Sequence, residues 1–589
     1  MTKSQSDYNS LNKDQLIDLV KRQEEELKTK KYGLVWDSEK EPEKVVTDCE
    51  NNIPVLQRIK DKRIKTNDSD DNILIEGDNY HALTCLNYTH KGKIDVIYID
   101  PPYNTGNKSW KYNNCYVEKD DAYYHSKWLN MMEKRLEIAK NLLTADGILI
   151  CAIDENELAN VYLLLYRIFC SNSRKYGCKT IDIVSIIHNP SGIQGKNFSY
   201  CNEYALFVYP SQKQIIAPEE RFGKNVDKRS FMNGAKGKGE NYLRITGYNC
   251  FYSILIKNDE IIGFGDVCPK EFHPKYSNVL RKDGLIEIYP IDGDGLERKW
   301  LFARNSVEDI KSELNIKKNK KTGLYEIFRI KHNINYKTVW TDKKYNAKTY
   351  GTQLIRNIIN KDFPFPKSLY NVKECILATT KFKKNATILD FFAGSGTTGH
   401  AVLDLNKQDG GNRKFILCTN NENNICEDVT YPRIHNVIKG YKFTGKDKII
   451  LFEKKLSFGG LKDMDKILSE INEIITTNKD KYDKIEKEFK DNLIKITGIK
   501  NIKDFKDGLG GNLQYFKTDL IPIRKEDDEE SIKNIGDKTR RELTYKAGQM
   551  IAIKENCFEE IELNEYYQIF ENNDKSKKVA RLIKNLINI

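Results

Sequence analysis

Several features are scarce in this 589-residue chain. None of its 13 cysteines forms a C-x-x-C pair, and none stands at a regular spacing from its 8 histidines. That argues against a zinc site, and scattered thiols fit a reducing compartment. No run approaches the roughly 18 apolar residues of a membrane-spanning helix. The opening MTKSQSDYNS has no apolar signal core. A soluble, cytoplasmic protein is expected. A G-x-x-x-x-G-K-[ST] phosphate loop and a metal-ligating acid cluster are both missing, so no helicase, nuclease or metal centre is expected in this chain.

What is abundant is positive charge, and it is unevenly placed. The formal net charge is +12, and residues 171–345 carry 30 Lys and Arg against 20 Asp and Glu, a net +10. A basic middle between near-neutral flanks points to a polyanion partner held by that middle. Length alone suggests more than one domain. Five segments are expected: an N-terminal helical region (1–50), a first catalytic half (51–170), a basic insertion (171–345), a second catalytic half (346–445) and a C-terminal, α-rich assembly region (446–589). The spacing of Leu11, Leu16, Leu19 and Val20 predicts an amphipathic helix over 10–31.

In the first half, strands are predicted at 72–76, 95–99 and 147–153, alternating with helices. One of those helices carries Trp128, Met132, Leu136, Ala139 and Leu143 at helical spacing. The rhythm resumes at 387–390 and 414–418. Strands alternating with helices imply an α/β fold with a doubly wound, mostly parallel sheet. The insertion breaks this rhythm with short strand-like runs at 181–187, 204–209 and 250–256, and reads as α+β. Its stretch 224–244 carries Lys224, Lys228, Arg229, Lys236, Lys238 and Arg244 among three glycines. A flexible basic loop of this kind suits contact with phosphates. From 461 to 495 one or two long helices are predicted.

Two strand ends carry chemistry. The apolar run Asp95–Ile99 stops at Asp100-Pro101-Pro102-Tyr103. Neither proline offers an N–H to a neighbour, so an acid, two carbonyls and an aromatic face are presented together. The carboxylate and a carbonyl can accept from an exocyclic amine while the ring stacks on its heterocycle, as a flipped nucleobase requires. At the second end, Thr387-Ile388-Leu389-Asp390 leads into Phe391-Phe392-Ala393-Gly394-Ser395-Gly396-Thr397-Thr398. Small residues at a strand-to-helix turn let the backbone approach a ligand, and helix N–H groups can meet its carboxylate. Glu422, after the next strand, stands where nucleotide-binding units place an acid for ribose hydroxyls. The turn is read as a nucleoside cradle and not as part of a nicotinamide dehydrogenase.

With both motifs in view, the chain resembles a β-class amino DNA methyltransferase, in which Asp-Pro-Pro-Tyr precedes Phe-x-Gly-x-Gly with the recognition region between. The wider context resembles the modification (Mod) subunit of type III restriction–modification systems. It is carried by Gly77-Asp78-Asn79, Asp100 to Gly106, Asn202-Glu203-Tyr204, Phe363 to Ser368 and Asp390 to Thr398. Val579 to Ile589 departs from that pattern. The resemblance implies a Rossmann-like methyltransferase fold and S-adenosylmethionine as cofactor. Asp390, Phe392, Ala393, Gly394 and Gly396 would form the cradle, with Ser395, Thr397 and Thr398 at the helix start. Asp78 would take the adenine edge and Glu422 the ribose, while Phe365 and Lys367 would line the methionine end. Asp100 with the carbonyl of Pro101 or Pro102 would hold the target amine, and Tyr103 would stack on the flipped base. It further implies double-stranded DNA as substrate, adenine N6 as acceptor, a homodimer, and a separate restriction subunit for any cleavage. The alternatives are a cytosine-N4 DNA methyltransferase, a DNA-recognition and assembly subunit for a separate nuclease, and an RNA or protein methyltransferase.

Overall fold

The computed structural model of the chain describes residues 43–105, 124–170, 179–194, 197–221, 226–234, 239–320, 322–456, 464–490, 492–523, 543, 546–564 and 566–582. The helix expected over 10–31 and Lys224, Lys236 and Lys238 lie outside them. The chain forms two compact units. One joins the residues up to Ala217 with those from Lys337 onward, and the other is Pro218–Tyr336.

The larger unit is built on a ten-stranded sheet. Its elements in chain order are β1 (Asn52–Arg58), β2 (Asp71–Glu76), α1 (Asn79–Thr89), β3 (Ile94–Ile99), α2 (Tyr124–Leu142), β4 (Leu143–Ile153), α3 (Leu158–Leu165), β5 (Lys179–Ile187), β6 (Asn202–Pro210), β7 (Val339–Trp340), α4 (Leu369–Thr380), β8 (Thr387–Asp390), α5 (Thr397–Asp409), β9 (Lys414–Thr419), α6 (Tyr431–Lys439) and β10 (Asn512–Pro522). The strand order is β1-β10-β2-β9-β8-β3-β4-β6-β5-β7. The six strands from β10 to β4 are mutually parallel, whereas β6 runs antiparallel to both β4 and β5.

These strands form where they do because their sequences suit burial on both faces. Ile94, Val96, Ile97, Ile99, Ile148, Leu149, Ile388 and Leu389 are all buried, as β-branched and leucine runs inside parallel sheets are. The α2 stripe packs on them as expected, with Trp128, Met132, Leu136 and Ala139 buried, each large side chain contributing about 1.5–3 kcal/mol. Leu143, expected to end that helix, instead opens β4. From β8 the chain passes through α5 to β9 on one side, while β3 lies on the other. The carboxyl ends of β8 and β3 therefore meet where strand order reverses, which is where open α/β sheets bind ligands.

Three expectations are corrected. The stretch 171–345 is not one inserted body, because it gives β5, β6 and β7 to the central sheet. Within Pro218–Tyr336 no α-helix is found among the described residues. A four-stranded and a three-stranded sheet enclose Phe231, Tyr252, Ile254, Trp300 and Ile327, so its composition is β with 3-10 turns, not α+β. Lastly, the C-terminal region is strand-rich. A helix at Met464–Asn478 ends well before 495, and strands Gly440–Lys455, Lys484–Lys490 and Leu493–Asp507 form an antiparallel sheet. Across that ladder Glu488 faces Lys495. No helix among the described residues is long and apolar enough to cross a membrane.

Candidate active site

Beyond β3, the indole Nε1 of Trp128 on α2 donates to the Pro102 carbonyl at 2.7 Å. That bond fixes the Pro-Pro turn and engages the Pro102 carbonyl. Asn104 then adopts a left-handed φ of 55°, and its Nδ2 donates to the fully buried Glu157 at 2.5 Å. His125 and Asn160 hold the same carboxylate at 2.6 and 2.7 Å. The chain on either side of Tyr103 is thus tied to α2 and to the turn before α3.

At the neighbouring strand end, Asp390 is buried and folds the following turn around itself. Its Oδ1 accepts from the Phe392 N–H at 3.0 Å and its Oδ2 from the Thr398 hydroxyl at 2.5 Å. Burial, reinforced by the nearby Asp100 charge, pushes its carboxyl up to about 7 against those hydrogen bonds. Gly394 and Gly396 take φ values of 49° and 77°, a region that only glycine enters freely. The turn is buttressed from α6. Thr430 donates to the Gly394 carbonyl at 2.5 Å. The fully buried Arg433 donates to the Ser395 carbonyl and hydroxyl and to the Thr397 hydroxyl at 3.2, 3.1 and 2.8 Å. Burial pulls the Arg433 guanidinium down to about 9.

Gly394, Gly396 and Gly399 stand at G-x-G-x-x-G spacing, so spacing alone does not separate this turn from a dinucleotide fingerprint. The third glycine serves close packing, since a Cβ there would lie 2.8 Å from Ile434. The separation comes from what shares the cavity.

A buried ionic cluster joins the Asp100 end to β6 and to the segment before α4. The Lys367 ammonium lies 3.2 Å from Asp100 Oδ1, pairs with Glu203 Oε2 and donates to the Tyr103 hydroxyl. Tyr103 in turn donates to Glu203 at 3.2 Å, and Asn371 donates to its other oxygen at 2.7 Å. Burial raises the Asp100 carboxyl, with Lys367 opposing. Burial, with the Asp100 charge adding to it, raises Glu203 well above the carboxylate range, and burial lowers Lys367 against the pull of Asp100.

One cavity brings the two strand ends together. Asp100, Lys367, Asp390, Phe392, Gly394 and Thr398 all line it, and so do Phe365, Ala393, Ser395 and Thr397. Of the other residues singled out in the sequence, Gly396 caps α5, while Pro101, Pro102 and Tyr103 stand just outside the lining. Asp78 and Glu422 follow the adjacent ends of β2 and β9 and are likewise outside it. Glu422 is raised first by burial and then by the Asp78 charge, so the two acids share one neighbourhood. Asp78 caps α1 by accepting from the Tyr80 N–H at 2.7 Å. The sequence reading missed Tyr98, Phe363 and Ile425 in the lining and Arg433 behind it. An arginine among Ile434, Val437 and Ile438 on the apolar face of α6 is the signal that Arg433 offered.

The basic residues of 218–336 fare differently. Arg244 does not face a phosphate. It is buried, pairs with Glu297 at 3.0 Å, donates to the carbonyls of Phe272 and Pro269 at 2.7 and 2.5 Å and lies over the Phe251 ring. Lys228 and Arg229 sit on a strand, Asp227–Ser230, not on a flexible loop. Both are exposed, Lys228 over the Phe328 ring and Arg229 beside Asp227 at 3.0 Å.

Residues 94–431 match the N6_N4_Mtase family, described as DNA methylase. Over 375 residues the chain is 30% identical to the type II methyltransferase M.KpnI of Klebsiella pneumoniae, covering 61% of this chain and 83% of that protein. It is 26% identical to the type III restriction-modification enzyme EcoPI Mod subunit of Escherichia phage P1, covering 69% of this chain and 66% of the relative. It is 27% identical to the StyLTI Mod subunit of Salmonella typhimurium, covering 69% and 60%. The chain thus spans less than two thirds of the length of either Mod subunit.

Proposed function

The chain belongs to the N6_N4_Mtase family of DNA methylases, and we propose that it transfers a methyl group from S-adenosylmethionine to N6 of an adenine flipped out of double-stranded DNA. The observation that carries this reading is the single cavity shared by Asp100 and Gly394. An amine-binding acid and a nucleoside cradle open into one space.

The residues present fit the cofactor. Gly394, at positive φ, lines the cavity without a side chain, Gly396 turns the chain into α5 where a Cβ would press on Thr430 and Ile434, and apolar Phe392 and Ala393 line the cavity. Asp390, Phe392, Ala393, Gly394 and Gly396 would hold it, with Ser395, Thr397 and Thr398 at the helix start. Glu422 would meet its ribose, Asp78 its adenine edge and Phe365 its methionine end. When bound, the cofactor supplies a methyl group on a positively charged sulfur.

The amine is prepared by this chain's own groups. Adenine N6 is a weak nucleophile because its lone pair is delocalised into the ring. Asp100 and the Pro101 carbonyl accept its two hydrogens in a tetrahedral arrangement, which localises the lone pair toward the cradle. The carboxylate then stabilises the positive charge that grows on nitrogen, and holding both reactants in line supplies much of the remaining acceleration. Tyr103 supports the extruded base, with its hydroxyl anchored by Lys367 and Glu203. Lys228 and Arg229 would contact phosphates from the 218–336 unit. By analogy with the Mod subunits it resembles, the chain would act as a homodimeric modification subunit in the cytoplasm beside a separate restriction subunit.

The test is methyl transfer to DNA by the protein and by Asp100→Ala. The variant should lose about a hundredfold to a thousandfold in rate, on the scale of removing a main electrostatic stabiliser, with cofactor binding largely intact. A variant that methylates normally would refute the assignment. Identifying the methylated nucleoside by mass separates adenine N6 from cytosine N4, whose amine would suit the same acceptors.

A further inference from the structure

The buried cluster behind Asp100 holds more than a methyl donor needs. Lys367 and Glu203 come from segments 164 residues apart, and both are buried. The groups touching Glu203 are Lys367, Tyr103 and Asn371, with the charges of Asp100 and Asp154 acting on it through space. Asp100 is touched by Lys367, and its charge acts through space on Glu203, Asp390, Tyr98 and Cys151.

Resting on the methyltransferase reading, we propose that Lys367 and Glu203 are positioning residues for the transfer step. Lys367 fixes Asp100 through Oδ1 and Tyr103 through its hydroxyl, and Glu203 keeps the Lys367 charge matched while Asp100 accepts the amine proton. The nitrogen lone pair forms the new N–C bond as the S–C bond breaks, and the sulfur keeps that bond's electrons. The nitrogen, now positive, gives one hydrogen to the Asp100 carboxylate and retains the pair.

An ammonium paired with Asp100 alone would oppose that last step, because neutralising Asp100 would strand a buried positive charge. With Glu203 held ionised by its ion pair with Lys367 against the burial that raises it, the cluster goes from one net negative charge to none. A methionine-end contact, expected for Lys367 from the sequence, would not require Glu203 or Tyr103. Lys367 engages one oxygen of Asp100, which leaves the other for the amine.

The experiment compares Glu203→Gln, Lys367→Met and the double variant in the full-length protein. It reads kcat, KM for cofactor and for DNA, the acid limb of the kcat–pH profile, cofactor binding and thermal unfolding. Each single variant should lose at least about tenfold in kcat, with both KM values within about threefold of the parent. The acid limb should move in opposite directions. Removing the negative Glu203 lowers the Asp100 pKa and shifts the limb to lower pH, whereas removing the ammonium raises it. A merely structural role would not give opposed shifts.

If a single variant fails to fold, the double variant decides, since it leaves Asp100 on the cavity wall as the one charged group of the three. It should bind cofactor and remain slow, and wild-type kcat in it would overturn the proposal. Unchanged kcat in both single variants, or limbs that stay put or move together, would also overturn it. Should the unmodified protein place no methyl group on DNA, the functional reading itself falls. Should Asp100→Ala be inactive while these variants are normal, only the present inference falls.

Discussion

The carboxyl edge of the central sheet and the 218–336 unit are both rich in ionisable groups, yet they use them in opposite ways. At the sheet edge Asp100, Glu203, Lys367 and Asp390 come from distant segments and converge on one cavity or its wall. In the other unit charges are more numerous and are spent locally. Arg244 pairs with Glu297, Arg298 with Asp292 at 2.7 Å, and Arg329 with Glu313 at 2.6 Å. Convergence of charge marks a site, whereas its number marks only composition. The basic excess of the middle still bears on association with DNA, but it does not say which arginines touch it.

The strongest way to break this contrast is to remove a buried cation from each region. Arg433→Leu leaves the Ser395 and Thr397 oxygens behind the glycine turn without their donor. It should cost about 3 kcal/mol or more, as losing a buried, hydrogen-bonded charge does, and weaken cofactor binding at least about tenfold, read by calorimetry. Arg244→Leu should destabilise the 218–336 unit by a similar amount, because Glu297 and the carbonyls lose their partner. It should leave cofactor affinity unchanged and the salt dependence of DNA binding nearly so. If Arg244→Leu instead made the salt dependence shallower by the amount one phosphate contributes, in a folded protein, its assignment to the interior would be wrong.

What the sequence disclosed, and what it hid, follows from the range of the interactions. β3 and β8 are short β-branched runs ended by Pro-Pro and by a small-residue turn, so strand, stop and chemistry lie within a dozen residues. The cavity uniting them was legible only as a pairing of motifs. Glu203 and Lys367 sat in stretches that could be noticed but not joined, since their meeting depends on β6 folding back beside β4. β10 was invisible for the same reason. Asn512–Pro522 reads as one more mixed segment, yet it inserts between β1 and β2. Arg244 misled because a basic stretch looks alike whether its side chains meet solvent or neighbouring carbonyls.

A smaller effect is read by pH at Asp390, behind the glycine turn. Asp390 is raised to about 7 in the folded chain from an unfolded value near 4. The folded state therefore keeps a proton that the unfolded state gives up. The associated stability is fully present below the unfolded pKa and is lost as pH rises through about 7. In the ligand-free protein the thermal midpoint should fall between pH 5 and pH 8, and Asp390→Asn should flatten that fall. An equal slope in the variant would mean that Asp390 stays ionised throughout.

The smallest effect is also the one that most sharpens the contrast. Lys228 and Arg229 are exposed on a strand whose interior neighbours do not need them, so replacing both with alanine should change stability by no more than about 0.5 kcal/mol each. Their part in DNA binding would be electrostatic and blind to sequence. For every phosphate deprived of its cationic partner, the plot of log affinity against log salt should become shallower by about 0.9. Binding to specific and non-specific duplexes should weaken alike. A filter-binding titration across salt concentrations reads both quantities. Weakened binding with an unchanged slope would instead mean that the pair shapes the surface without touching the backbone, and the phosphate-binding face of this unit would then lie elsewhere.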